Sequence, residues 1–414
     1  MADGAAGTNN AANAKSTANE PVVVIGAGQA AAQLATSLRS GGFSGSLTVI
    51  GDEPFLPYQR PPLSKKFLAD RPPPDSLYLR PAPFWAERGV GFLLGTAAVK
   101  VDLRGRFVTL ADGRDVPFHT LVFATGTCAR RLPLPGIDRN GTFSLRAIGD
   151  VQRLRPAFDQ AKRIVILGGG YIGLETAAVM RSEQRDVIVL EAEDRVLKRV
   201  TAPSIAGFFD RIHRERGVDI RTQARVAGIG GEGSALVLHL VDGTEVKADA
   251  VLLAAGAKAN DELAEAAGLA CREGILVDAV GRSEVENVYA IGDCARFPSA
   301  RYGRLLRLEC VQNAIDQAKA AATAILGGAA SYDPVPWFWS DQYEFKLQIA
   351  GLFDGYDDTA EIGDAAAGRF SVEYRRGGAL IAADSVNDAR THMLARRRIA
   401  EETGGRLAME EAVT

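Results

Sequence analysis

The sequence predicts an α/β chain, with two domains built on parallel sheets and a smaller α+β domain at its C-terminal end. Three observations predict this. An apolar run, VVVI at 22–25, ends in GAGQAA at 26–31 and passes into a helix-forming stretch. A second run, IVIL at 164–167, ends in the same way in GGGYIG at 168–173. After a Gly327-Gly328 break the chain changes to SYDPVPWFWSDQ at 331–342, then to alternating strands and a final charged helix. Strands buried on both faces read as unbroken apolar runs, and glycine at their ends allows a tight turn into a helix.

At 414 residues the chain has length for two or three domains with substantial cores. A net charge of -3 argues against a dedicated nucleic-acid binder, which needs a concentrated positive field. Cys128, Cys271, Cys294 and Cys310 lie far apart and form no CxxC or CxxxxC pair. They read as reduced thiols of a cytoplasmic protein, with no structural metal site. No apolar run approaches the length of a membrane span. Residues 1–20 lack the apolar segment of a signal peptide and read as a disordered leader.

The first fingerprint is built for phosphate. Gly26 permits the sharp bend, Gly28 carries no side chain to keep a pyrophosphate from the backbone, and the small Ala31 lets the helix pack closely on the strand. SLTVIGDE at 46–53 then supplies a second strand with Asp52 and Glu53 at its carboxyl end, where an acceptor suits a ribose hydroxyl. Taken alone, such glycines mark a turn as readily as a ligand. Strand, fingerprint, helix and acid-tipped strand in order predict a dinucleotide site of the Rossmann kind.

Beyond Glu53, Pro57, Pro61 and Pro62 stiffen a loop bearing Arg60, Ser64, Lys65 and Lys66 and preclude a regular helix through its centre. Residues 91–123 alternate as short strands, turn at Asp112-Gly113 and read as a small β-meander. It feeds a strand ending in Ala124, Thr125 and Gly126, small residues past which a cofactor could lie close to the backbone. The second fingerprint is cleaner: strand 164–167, then Gly168, Gly170 and Gly173 with Tyr171 and Ile172 between them, a helix, and strand 187–190 ending at Glu191. A carboxylate there accepts from the adenosine ribose diol and repels a 2′-phosphate, which favours NADH. Arg195, Lys198 and Arg199 follow and temper that preference. Glu175 lies early in the receiving helix, either as a complement to the helix dipole or at the border of the nicotinamide.

Residues 217–256 repeat the meander theme and end at Gly256. A third small-residue strand end delivers Asp293 beside Gly292, as a helix cap or as an acceptor for a ribityl hydroxyl. Because Asp293 completes the first site, the second domain is inserted within the first. The expected division is a leader at 1–20, an FAD-binding domain at 21–128 and 257–330, an NAD-binding domain at 129–256 and a C-terminal domain at 331–414.

VVVIGAGQAA, LPYQRPPLSK, SLYLR, FATG, LGGGYIGLE, YAIGDCARF and PWFWSDQ together resemble the NADH-dependent ferredoxin reductases that serve oxygenase systems, the putidaredoxin reductase and biphenyl dioxygenase reductase type. The resemblance runs from about residue 20 to the carboxyl end. It implies two Rossmann-like dinucleotide-binding domains of glutathione-reductase-like fold, with FAD and NADH as cofactors. Ala30, Asp52, Arg60 and Lys65 match FAD-contacting positions, Ala98 one at the adenine end, and Arg146 one at the pyrophosphate. Asp293 and Val311 match the ribityl chain and the isoalloxazine edge. Gly170, Ile172, Glu191 and Gly256 match the NAD path. Lys65 and Glu175 match a pair beside flavin N5 and the nicotinamide, the expected catalytic pair, and Glu309 and Trp339 match residues near the two rings. Ala259 stands where relatives commonly carry proline, and Ser283 where they carry threonine.

The family implies that electrons leave from the flavin, since a disulfide reductase of this architecture would carry a cysteine pair after the first fingerprint. The expected partner is a small acidic [2Fe–2S] ferredoxin that feeds a haem monooxygenase or a ring-hydroxylating dioxygenase, with the reductase itself a monomer or weak homodimer. Lys65, Lys66, Arg301, Arg304, Arg307 and the run Arg396–Arg398 are candidate docking cations, though most charge runs are solvated faces. Trp337, Phe338 and Trp339 read as core from composition, and the resemblance reverses this for Trp339. The competing functions are a rubredoxin reductase, an NADH oxidase, and a redox-sensing protein resembling apoptosis-inducing factor.

Overall fold

The computed structural model describes residues 20–232 and 235–410. The leader expected over 1–20 lies, apart from Glu20, outside them. The chain divides into two compact units: one from the described residues of Met1–Gln59, Pro73–Thr127 and Ala259–Pro336, the other from those of Arg60–Pro72, Cys128–Lys258 and Trp337–Thr414.

In the first unit five strands form a wholly parallel sheet in the order Val288–Ala290, Thr120–Phe123, Val22–Ile25, Leu47–Gly51, Val90–Leu94. Val22 to Ile25 are all buried, as a strand covered on both faces must be. Helix Gln29–Ser40 packs through Ala31, Leu34, Ala35 and Leu38 into a core shared with Ala314, Ala318 and Ala321 of helix Val311–Ile325. The alanines let the two helices approach closely. The meander is smaller than the sequence suggests. Only Ala98–Asp102, Phe107–Leu110 and Asp115–Pro117 form it, while the strands on either side pair in parallel with the main sheet.

The second unit repeats the plan, with a parallel sheet ordered Asp219–Arg221, Asp186–Leu190, Arg163–Leu167, Ala250–Leu253, Thr142–Ser144. Its antiparallel meander is Val226–Gly230, Leu236–Leu240 and Glu245–Ala248. Ala250–Leu253 leaves the meander and pairs in parallel with Arg163–Leu167. The edge strand Thr142–Ser144 has no pattern long enough to announce it. The same unit holds a five-stranded antiparallel sheet, Trp337–Gln342, Phe345–Gly351, Ala379–Val386, Arg369–Arg376, Asp358–Asp364, followed by helix Ala389–Glu410.

A buried carboxyl lies in this unit. The Asp384 carboxylate accepts from the Tyr374 hydroxyl at 2.6 Å and from the Thr201 hydroxyl, while its second oxygen is buried without a partner. Burial pushes the carboxyl up to about 6. A folded-state value raised above the unfolded one gives stability that is complete below about pH 4 and lost as pH rises through about 6. Asp384→Asn cannot ionise, so its stability relative to the native chain is expected to rise by about 3 kcal/mol from acid to neutral pH. Urea melts across that range measure the difference, and a gap independent of pH would contradict the expectation.

Candidate active site

The first unit forms a cradle at the carboxyl ends of its parallel strands. Gly26 has φ +106° and an added Cβ would lie 2.2 Å from the Ala124 carbonyl oxygen, so the strand crossing itself demands glycine. Gly28 is different. Its backbone is extended, a Cβ there would meet nothing within 4 Å, and no side chain caps the helix it opens. The fold itself therefore does not demand glycine at 28, and the bare helix N-terminus beside it is open to an anion.

Ala30, Ala31, Gly292 and Ala124 lie at this fingerprint. Ala30 and Ala31 are buried in the helix's first turn, and Ala30 Cβ would lie 3.1 Å from a Cβ on Gly292. That contact brings Asp293 to the first fingerprint; its carboxylate faces the Thr127 hydroxyl at 3.5 Å. Asp52 is exposed and accepts from the Glu53 amide, while Glu53 accepts from the Tyr58 hydroxyl at 2.7 Å. Asn260 donates to the Thr125 carbonyl at 2.8 Å and accepts the Thr125 hydroxyl at 2.6 Å on its own carbonyl, and its amide donates to Gly126. This lacing fixes 124–126, and no local pattern announces it. Ala98 opens the meander, Val311 opens its helix behind Cys310, and Glu309 pairs with Arg307 at 2.6 Å. Ser283, in place of threonine, still donates to the Val288 carbonyl.

The second unit carries an equivalent cradle. Gly168 has φ +111° with the Ala254 carbonyl oxygen 2.5 Å from its added Cβ, and a Cβ on Gly173 would sit 2.1 Å from the Gly168 carbonyl oxygen. Gly170, like Gly28, is extended, open and caps a helix without side-chain help. Ile172 is exposed in the first turn. Glu191 accepts from the Gly169 amide at 2.7 Å and the Glu193 amide at 2.9 Å, which holds its carboxylate against the loop. Gly256, at φ +97°, accepts from the Arg130 amide.

Lys65 and Glu175 meet. The ammonium lies 2.8 Å from a Glu175 oxygen, with the lysine side chain 17 % exposed and the glutamate 4 %. Glu175 is beyond the helix's first turn and buried, so dipole complement does not explain it. Ser64 donates to one of its oxygens and Ser340 to the other, each at 2.6 Å. Three donors on one buried carboxylate offset the cost of removing it from water. Lys65 is held by a short 3-10 turn, Pro61–Ser64, which the prolines start. Nearby, Arg60 donates to the Arg146 carbonyl at 2.7 Å, and Asp150 caps the helix after Arg146 through the amides of 146 and 147. Trp339 is half-buried with its ring 5.6 Å from Trp337, and Phe338 packs on Tyr171 at 4.7 Å.

Sequence reasoning missed Ser340 as a Glu175 ligand. Ser340 and Gln342 are fully buried two residues apart in a strand, so a polar pair at period two inside WFWSDQ was the available signal. Burial also raises the thiols of Cys271 and Cys310, to about 11 and about 12, and that of Cys294, which keeps them protonated.

Residues 20–322 match the family described as pyridine nucleotide-disulphide oxidoreductase. The chain belongs to this family. Residues 337–410 match a second family, described as reductase C-terminal. A ferredoxin–NAD(P)+ reductase of Sphingomonas is 43 % identical over 91 % of this chain and 92 % of its own length. The rhodocoxin reductase of Rhodococcus erythropolis is 42 % identical over 92 % and 90 %. The solved structure of a covalent putidaredoxin reductase–putidaredoxin complex superposes with a TM-score of 0.88 at 37 % identity, covering 93 % of this chain and 94 % of that one. As a family member the chain is an FAD-dependent oxidoreductase that uses a pyridine nucleotide. The two open glycines fit such cofactors, since each leaves at a helix N-terminus the space a pyrophosphate would fill.

Proposed function

We propose that the chain is an NADH:ferredoxin oxidoreductase that supplies electrons to a haem monooxygenase or a ring-hydroxylating dioxygenase. The observation that carries this is the buried Lys65–Glu175 pair at the nucleotide-receiving helix, in a chain without paired cysteines. The first-unit cradle is assigned to FAD and the second to NADH, with domains at 21–128 and 257–330, at 129–256 and at 331–414. FAD held in the first cradle would supply two-electron acceptance from a hydride donor and one-electron release, which suits an iron–sulfur acceptor.

The protein's own contribution is alignment and charge. Gly28 and Gly170 open helix N-termini to the two pyrophosphates, and Asp52 or Glu53 and Glu191 accept from riboses. Lys65 carries a fixed positive charge whose direction Glu175 sets, and such a charge stabilises negative charge developing at the reacting atom. The relatives' names support the acceptor: rhodocoxin reductase, putidaredoxin reductase, and a solved complex with putidaredoxin.

NADH is favoured over NADPH because Glu191 stands at the strand end and two of the three neighbouring cations, Arg195 and Lys198, are engaged, while Arg199 is exposed. Arg195 donates to the carbonyls of Thr201 and Lys198, and Lys198 pairs with Glu193 and Asp194. Glu191→Ala with an added arginine nearby is expected to shift kcat/KM toward NADPH by at least about tenfold; unchanged discrimination would show that Glu191 is not the ribose ligand.

Docking of an acidic ferredoxin falls to exposed arginines of the last helix and to the less exposed Arg307. Arg307 pairs with Glu309, Arg397 with Glu401, and Arg398 with Glu373, while Arg396 lies over the Trp337 ring. Charge reversal at Arg307 or Arg397 is expected to raise the apparent KM for ferredoxin at low salt, and no effect at either would remove both from the docking surface. A reducing cytoplasmic setting agrees with four free cysteines. Among the described residues no helix is long and apolar enough to cross a membrane. Steady-state assays test the function. Rapid NADH-dependent reduction of a [2Fe–2S] ferredoxin with slow oxygen uptake is expected, whereas fast oxygen turnover that ferredoxin does not change would favour an oxidase.

A further inference from the structure

Behind Glu175 and Ser340 the hydrogen bonds continue through Gln342, His213 and Tyr343. Gln342 Nε2 lies 3.2 Å from Ser340 Oγ, Gln342 Oε1 lies 2.9 Å from His213 Nε2, and the Tyr343 hydroxyl lies 3.4 Å from His213 Nδ1. Ser340, Gln342 and His213 are all fully buried. Helix Pro203–Glu215 brings the histidine, and strand Trp337–Gln342 brings the serine and glutamine.

The ion pair with Lys65 dictates the direction of every link. A carboxylate only accepts, so Ser340 must donate to it, and the serine oxygen must then accept from the Gln342 amide NH2. The glutamine oxygen consequently faces His213, which must carry its proton on Nε2, leaving Nδ1 to accept from Tyr343. Burial lowers His213 to about 4, so the ring is neutral and this single tautomer is available at neutral pH.

Tyr343 gives independent support. It occupies the left-handed region at φ +55° in the tight turn between Gln342 and Phe345, where glycine or asparagine would be unstrained. The Arg216 guanidinium lies 4.5 Å from its ring centroid. A bulky side chain in that conformation carries backbone strain, which contacts of its ring and hydroxyl offset.

We propose that Tyr343, His213, Gln342 and Ser340 form a one-way hydrogen-bond wire that ends on Glu175 and, through it, aims the Lys65 ammonium. These are positioning residues, and their role rests on the proposed NADH reaction at that pair. Each O–H or N–H dipole points toward the carboxylate, so the links reinforce one another and hold the glutamate in one rotamer. Removing a middle link frees the glutamate to turn and misdirects Lys65 without touching the nucleotide cradle.

Two measurements on the FAD-loaded protein test this. Histidine ¹⁵N NMR, with His213 assigned by difference against His213→Asn, should show a neutral Nε2–H tautomer near neutral pH; an Nδ1–H tautomer or a charged ring overturns the wire. In anaerobic rapid mixing with NADH, Ser340→Ala should lower the limiting rate of flavin bleaching about tenfold, the loss of one hydrogen bond to a charged group, and Gln342→Met, which removes the donor to Ser340, should lower it by a smaller factor, with NADH affinity unchanged in both. Ser340→Thr should restore the rate. Native rates in both variants, or a loss in affinity instead of rate, overturn the proposal, and failure of the native protein itself to bleach overturns the NADH reading.

Discussion

Gly28→Val is expected to give a folded protein that purifies without flavin. Valine is comfortable in the extended conformation of residue 28, and its Cβ would meet no atom within 4 Å, so the apoprotein should fold, less stable than the native chain by about 1 kcal/mol because valine is a poorer helix N-cap than glycine. The branched side chain would instead fill the space above the helix N-terminus and exclude a pyrophosphate from the exposed amides. Each hydrogen bond to a charged group contributes about 1.5–3 kcal/mol, so loss of two or more weakens FAD binding by over a hundredfold. Gly26→Val is the control, since its Cβ would collide with the Ala124 carbonyl and it should fail to fold. Absorbance of flavin per mole of purified protein reads the result. Native flavin content in Gly28→Val would show that this cradle holds no phosphate.

Lys65→Ala is expected to reduce the limiting rate of flavin reduction by NADH by about a hundredfold while NADH affinity changes little. The lysine makes a 2.8 Å ion pair with a carboxylate that Ser64 and Ser340 also hold, so its charge has a fixed position and needs no reorganisation during reaction. Removing one member of a buried pair also destabilises, by about 3–5 kcal/mol, because Glu175 is left without its counter-charge. Lys65→Ala, Glu175→Gln removes that burden and should recover stability without recovering rate. Stopped-flow reduction at saturating NADH, read beside denaturant melts, separates the two. A pure affinity loss in Lys65→Ala would contradict the electrostatic role.

Both cradles were legible in the sequence because their determinants are local. Apolar strands, glycine spacing and acids at strand ends lie within about thirty residues of one another. The glycines nevertheless differ in a way that spacing does not distinguish: Gly26, Gly168 and Gly173 are dictated by backbone contacts, whereas a Cβ on Gly28 or Gly170 would stand in open space. The meanders were overdrawn because Val90–Leu94, Thr120–Phe123 and Ala250–Leu253 adjoin the meander strands in sequence, and only pairing assigns them to the parallel sheets. The lacing of Asn260 to Thr125 and the contacts of Ser340 on Glu175 join residues more than a hundred positions apart. No periodicity encodes such contacts. Polar residues at buried positions of an apolar strand, Ser340 and Gln342 here, are the trace they leave.

The most direct test is an anaerobic absorption titration of the purified FAD-loaded protein, first with NADH and then with oxidised [2Fe–2S] ferredoxin. One equivalent of NADH should bleach the flavin, and ferredoxin should restore its colour within the mixing time as two ferredoxins are reduced. A flavin that stays oxidised in excess NADH, or that once bleached does not respond to ferredoxin, would contradict the account.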